Sequence, residues 1–266
     1  MGRLRLAIPL LAAISLGLLG VVPAQAAPAA YTALGDSYSS GVGTRNYFPD
    51  SGSCYRSPDA YPVLVANRIG AQLTFAACSG ARIPDIPSQI ASLNASTAYV
   101  TISIGGNDAG FVSVITQCAL PWPWTCWGDI NNANNFIRNT LPAQLDATYD
   151  LIRSRAPNAT VIVVGYPRIF NGQECNFGAR ISSGEQAELN KSADLLTTTI
   201  GARAAAHGFG FVDPRSAFTG HAICDATEWV NGLSNPIMES YHPNTNGQAG
   251  YTQLLAGKLG VNVRAA

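Results

Sequence analysis

The chain has 266 residues, 47% hydrophobic and 12% charged, with 16 Lys plus Arg against 16 Asp plus Glu. Balanced charge supplies no basic stripe for nucleic acid, and low charge with ample apolar content excludes a disordered chain. The length suits one large domain or two small ones, enough to bury a core.

Arg3 and Arg5 form a positive start, residues 6–22 are apolar apart from Ser15 and the glycines, and Ala24-Gln25-Ala26 is an A-x-A site. This reads as a secretory signal peptide, residues 1–26, cut after Ala26. A membrane anchor is the alternative, because the run approaches the ~20-residue spanning length. The small-residue exit into Pro28-Ala29-Ala30 favours cleavage. No later segment is apolar enough to span. Residues 27–266 are then one exported domain with 14 basic and 16 acidic residues, the two lost charges being Arg3 and Arg5, for a net charge of −2.

The pattern predicts strands at residues 31–35, 73–77, 99–104, 160–164 and 209–212. It predicts helices at 59–69, 84–93, around the stripe Leu141, Leu145, Thr148, Tyr149 and Ile152, at 183–206 and at 248–259. Ser183 and Gln186 have the spacing of a capping box. Strands alternating with helices imply a parallel sheet covered on both faces, a three-layer α/β/α sandwich with right-handed connections. Ligands bind such sheets beyond the carboxyl ends of the strands, which here follow Leu34, Ala77 and Ile104.

Six cysteines lie beyond the leader, an even number in an exported chain, and read as three disulfides. Short closures form most readily, so the expected pairs are sequential: Cys54–Cys78, Cys118–Cys126 and Cys175–Cys224. A zinc site is disfavoured, since there is no C-x-x-C and no His at ligand spacing.

Four segments carry candidate chemistry: Gly35-Asp36-Ser37 after the first strand, Cys78-Ser79-Gly80 after the second, Gly105-Gly106-Asn107-Asp108 after the third, and Glu239-Ser240-Tyr241-His242-Pro243 near the carboxyl end. In that order they resemble the SGNH, or GDSL, hydrolase family, over essentially the whole mature chain. The leader, length and cysteines are most similar to its secreted actinobacterial lipases and esterases. The resemblance implies a flavodoxin-like sandwich, in agreement with the pattern above. It also implies hydrolysis of carboxylic esters without metal or cofactor.

A serine hydroxyl attacks well only if a base takes its proton. Ser37 is the expected nucleophile and His242 the expected base, its ordinary pKa near 6.5 suiting proton shuttling. An oxyanion needs converging donors, and the Ser37 N–H, the Gly80 N–H and the Asn107 amide fit; the resemblance assigns them the same roles. Gly80 suits a close backbone approach because it lacks a Cβ. In the family an Asp three residues before the His usually orients it; here that position is Glu239. The backbone carbonyl of Ser240 is the favoured orienting group, with Glu239 the alternative. Tyr38 replaces the Leu of the family name, with little expected effect on chemistry.

Other residues have plainer readings. Asp36 forms a turn, with even odds that it also orients the serine loop, and Asp108 stabilises a strand-to-helix junction. His207 sits at a helix end, where it complements the dipole, and His221 lies in a loop beside Cys224, where a binding role stays open. Three of the four tryptophans fall in residues 121–127, which either meet lipid, wall an acyl site, or form a small satellite core around Cys118–Cys126. Three glycosylation triplets, at Asn94, Asn158 and Asn190, carry no assigned function. The leading reading is a secreted, monomeric lipase or esterase acting on lipid esters. The alternatives are a carbohydrate acetylesterase and a non-catalytic secreted binding module.

Overall fold

The computed structural model describes residues 27–121, 123–175, 178 and 180–259. The expected leader, residues 1–26, lies outside them. Five strands form one sheet: β1 (Ala30–Gly35), β2 (Gln72–Phe75), β3 (Thr97–Ser103), β4 (Thr160–Val164) and β5 (Gly210–Val212). Their order is β2-β1-β3-β4-β5, with every neighbouring pair parallel. This is the flavodoxin-like order, and its switch point lies between β1 and β3.

Among the described residues, eight α-helices accompany the strands: α1 (Ser37–Ser40), α2 (Tyr61–Ile69), α3 (Ile86–Gln89), α4 (Phe111–Cys118), α5 (Trp127–Asn139), α6 (Leu141–Arg155), α7 (Ser183–Ala206) and α8 (Thr245–Lys258). α2 packs on α8, whereas α5, α6 and α7 pack together, with α7 against β4 and β5. Consecutive residues of β1, β3 and β4 are buried, as a sheet covered on both faces requires. Edge strand β2 instead alternates exposed and half-buried.

All five expected strands form, β4 at the expected residues and the others with ends shifted by at most two. The stripe of α6 is buried at all five named positions. The expected helix at 84–93 is broken: a 3-10 turn at Ile83–Asp85, then α3, then a 3-10 turn at Ile90–Ser92. Pro84 and Pro87 each stand in a first turn, and proline removes donors that a continuous helix needs. Ile86, Ile90 and Leu93 are nonetheless buried.

The capping box of α7 lies one residue earlier than expected. Ser182 Oγ accepts from the Glu185 N–H at 3.3 Å, and Glu185 Oε2 accepts from the Ser182 N–H at 3.0 Å. Gln186 is engaged elsewhere, accepting from Gly172 N–H and donating to the carbonyls of Gln173 and Ile181. The disulfides join Cys54 to Cys78, Cys118 to Cys126 and Cys175 to Cys224.

Candidate active site

The carboxyl ends of β1, β2 and β3 bring three of the four segments together, and the chain before α8 adds the fourth. The Asp36 N–H continues the β1–β3 ladder to the Ser103 carbonyl at 3.0 Å. Asp36 Oδ1 then accepts from the Tyr38 N–H at 3.0 Å, capping α1, whose first residue is Ser37. Asp36 is 2% exposed. Burial pushes its carboxyl up to about 7, against the opposing pull of bonds from the Tyr166 hydroxyl and the Tyr38 amide. Asp36 thus forms the turn and also holds the serine loop.

His242 Nε2 lies 2.8 Å from Ser37 Oγ, and Nδ1 lies 2.8 Å from the Ser240 carbonyl oxygen. A carbonyl can only accept, so Nδ1 carries the proton and Nε2 turns its lone pair to the serine hydroxyl. Burial pulls the imidazole down to about 4, the Ser240 and Met238 backbone opposing part of that shift. The carboxylate of Glu239 points elsewhere: it is buried and accepts from the Tyr47 hydroxyl.

The loop bearing His242 has little regular structure, so hydrogen bonds from outside it fix its path. Asn231 N–H donates to the His242 carbonyl at 2.9 Å and Asn231 O accepts from the Tyr241 N–H at 2.9 Å. Its side-chain amide donates to the carbonyls of Gly43 and Glu239 at 2.8 and 3.2 Å. The Tyr38 hydroxyl donates to the Tyr241 carbonyl at 2.9 Å, and its ring packs 5.5 Å from that of His242. Tyr38 therefore does more than fill the core. The sequence carries no sign of Asn231, because its partners are backbone groups, which have no side-chain signature.

Gly80 lies in the turn after β2, pinned by the Cys78 N–H to the Gly35 carbonyl at 3.0 Å and by the Cys54–Cys78 bond. Its φ is +77°, and among the described residues no atom lies within 4 Å of where a Cβ would stand. Within the protein, the requirement for glycine here is the left-handed backbone rather than close packing. Asn107 Nδ2 donates one hydrogen to the Ala81 carbonyl at 3.0 Å; an amide nitrogen carries a second. Asp108 accepts from the Ile83 N–H at 3.0 Å, tying this turn to the chain after Gly80.

Ser37, Gly80, Asn107 and His242 line one cleft of about 470 Å³. Its walls are apolar: Phe111 and Ile115 of α4 on one side, Ile237 and Met238 on the other. Among the described residues lining it, none is Asp, Glu, Lys or Arg. Among the described residues of the tryptophan segment, none lines the cleft. Trp124 and Trp127 are exposed, at 63% and 43%, and stand outside the cleft lining, while Trp122 lies outside the described residues. Cys118 and Cys126 beside them are buried.

The other two histidines are held elsewhere. His207 ends α7 between Asp146 at 2.9 Å and Asp150 at 3.3 Å. His221 stacks on Trp229 with ring centroids 4.1 Å apart, and its Nδ1 faces the Thr227 carbonyl.

A serine hydroxyl on an imidazole, at the switch point of a parallel sheet and in one cleft with Gly80 and Asn107, is an arrangement suited to ester hydrolysis. Residues 33–249 match the GDSL-like Lipase/Acylhydrolase family, and the chain belongs to that family. It is 45% identical over 249 residues to a lipase of Streptomyces rimosus, covering 91% of this chain and 92% of that protein. The structure superposes on the crystal structure of an extracellular lipase from Streptomyces rimosus with a TM-score of 0.81, at 45% identity over 85% of this chain and 98% of that one. It superposes on phospholipase A1 from Streptomyces albidoflavus NA297 with a TM-score of 0.83, at 44% identity over 87% and 100% of the two chains.

Proposed function

We propose that the protein is a secreted, monomeric serine lipase or esterase that hydrolyses fatty-acyl esters through an acyl-enzyme on Ser37. The observation that carries this reading is the 2.8 Å approach of Ser37 Oγ to His242 Nε2 on the floor of an apolar cleft. Ser37 Oγ attacks the ester carbonyl carbon as its proton passes to His242 Nε2. The negative oxygen of the tetrahedral intermediate is received by the Ser37 N–H, the Gly80 N–H and the free Asn107 amide hydrogen. Collapse breaks the ester bond, and the His242 proton leaves on the departing alcohol. Water then attacks the acyl-enzyme, gives its proton to His242, and the carboxylic acid departs as Ser37 regains a proton.

Through both steps the Ser240 carbonyl keeps Nδ1 protonated and the ring aimed. A neutral carbonyl stabilises the imidazolium less than a carboxylate does, which accords with the low pKa of His242. No metal or cofactor takes part in this scheme.

Three features support lipid as the substrate class. The cleft is walled by hydrocarbon and bears no charge. Its rim presents Val112, Leu233 and Ile237 at 59%, 39% and 69% exposure, an apolar mouth suited to transient contact with a lipid surface. The relatives at 44–45% identity bear the names lipase and phospholipase A1. Export is supported by the leader pattern of residues 1–26, by three disulfides and by the extracellular relative. A panel of p-nitrophenyl esters from acetate to palmitate, with emulsified triglyceride, a phospholipid and acetylated xylan, tests the reading. The expected result is preference for the fatty-acyl substrates, abolished by Ser37→Ala. Preference for acetylated xylan, or turnover that survives Ser37→Ala, overturns it.

A further inference from the structure

We propose that Tyr166 is a positioning residue, whose single hydroxyl holds the nucleophile turn and the oxyanion turn in register; this rests on Ser37 and Asn107 acting as described above. Tyr166 follows β4 and does not line the catalytic cleft. Its hydroxyl nevertheless touches two of the site's segments. It donates to Asp36 Oδ2 at 2.5 Å and accepts from the Gly106 N–H at 3.2 Å. Asp36 precedes Ser37, and Gly106 precedes Asn107. One oxygen thus spans the gap between the attacking hydroxyl and a donor to the oxyanion.

Tyr166 is itself firmly anchored. Thr197 Oγ1 on α7 accepts from its N–H at 3.0 Å and donates to its carbonyl at 2.7 Å. Its ring meets Tyr38 edge-on at 5.0 Å, and Tyr38 in turn holds the carbonyl of Tyr241, next to His242. A Cβ on Gly106 would stand 3.1 Å from the Tyr166 ring, so the oxyanion turn lies directly against it. A misplacement of about 1 Å in such a constellation can cost ~10²-fold in rate.

The link should be sensitive to the charge on Asp36, because a carboxylate accepts more strongly than a carboxylic acid. The ionisable groups around Asp36 are Tyr166, Tyr38 on α1, Asp108 after β3, Tyr61 on α2 and Tyr251 on α8, with no lysine or arginine among them. Asp108 raises the Asp36 carboxyl and the Tyr166 hydroxyl lowers it. Removing that hydroxyl therefore raises it further, and more alkaline solution is needed to ionise Asp36. Burial pulls His242 down to about 4 and pushes Asp36 up to about 7, so ionisation of Asp36 is expected to contribute to an acid limb.

The test compares wild type, Tyr166→Phe, Asp36→Asn and the double variant on p-nitrophenyl butyrate from pH 5 to 9, with Tm recorded. The expected result for Tyr166→Phe is a roughly 10- to 100-fold fall in kcat, KM within about twofold, and an acid limb displaced to higher pH. Asp36→Asn should lower kcat and flatten the limb near pH 7, and should do so even if Tyr166→Phe fails to fold. The double variant should lose little more than the worse single one, since both break one link. Wild-type kcat and an unmoved limb in Tyr166→Phe, an acid limb near pH 7 persisting unchanged in Asp36→Asn, or multiplying losses overturn the inference. Retained turnover in Ser37→Ala would instead strike at the nucleophile assignment, so the two failures are distinguishable.

Discussion

The two halves of the proposed reacting pair, Ser37 and His242, are positioned by different means. Ser37 leaves the end of a central strand, and the sheet's own ladder, extended one residue to Asp36, sets where its hydroxyl emerges. His242 sits in a loop stretch with little repeating structure, held by Asn231, Tyr38 and the backbone of residues 43 and 239. Secondary structure fixes the first. A few backbone bonds between loops and a few side-chain hydrogen bonds fix the second, so the histidine side should be easier to disturb through residues that never meet substrate.

The largest effect should come from His242→Ala, which removes the base: kcat should fall by about 10⁵- to 10⁶-fold, with Tm little changed. Residual turnover near wild type would break the comparison outright. Next, Asn107→Ala removes one oxyanion donor and should cost ~10²–10³ in kcat with KM nearly constant. A KM effect alone would move Asn107 to substrate binding.

Asn231→Ala tests the histidine side directly. It leaves the backbone bonds and removes the two from the side chain, so a fall of roughly 10- to 100-fold in kcat is expected. A loss of about 1–3 kcal/mol in stability should accompany it, by urea melting, because the carbonyls of Gly43 and Glu239 lose a donor. The smallest effect should be that of Glu239→Gln. Its partner is Tyr47 and not His242, so kcat should stay within about threefold, whereas a triad carboxylate would cost ~10⁴.

Much of this site is legible from the chain alone because strand ends announce it. The apolar run that ends at Ile104 stops at Gly105-Gly106, with Asn107-Asp108 next, and Ala30–Gly35 leads straight into Asp36-Ser37. The arrangement around His242 was readable only as a choice between Ser240 and Glu239, since both neighbour it and spacing cannot say which one turns inward. Tyr166 carries no local signal because its partners lie far along the chain, and Asn231 carries none because its partners are backbone groups, which leave no mark in the sequence.

α4 and α5 escaped the pattern for another reason. Phe111–Cys118 is rich in β-branched residues and Trp127–Asn139 holds five asparagines, all weak helix formers. Packing in the core overrides that preference, burying Val114, Ile115, Ile130 and Ile137. The consequence bears on the site, since α4 lines the cleft and none of the described residues of the tryptophan segment does.

The claim on which all else depends is that the Ser37 hydroxyl, activated by His242, forms the covalent acyl bond. Treating the folded protein with a p-nitrophenyl phosphonate and locating the adduct by peptide mass spectrometry tests it most directly. The account predicts one phosphonyl group per chain, on Ser37, formed in step with loss of esterase activity and strongly slowed in His242→Ala. Complete inactivation with the label on another residue, or full activity retained with Ser37 modified, would contradict it.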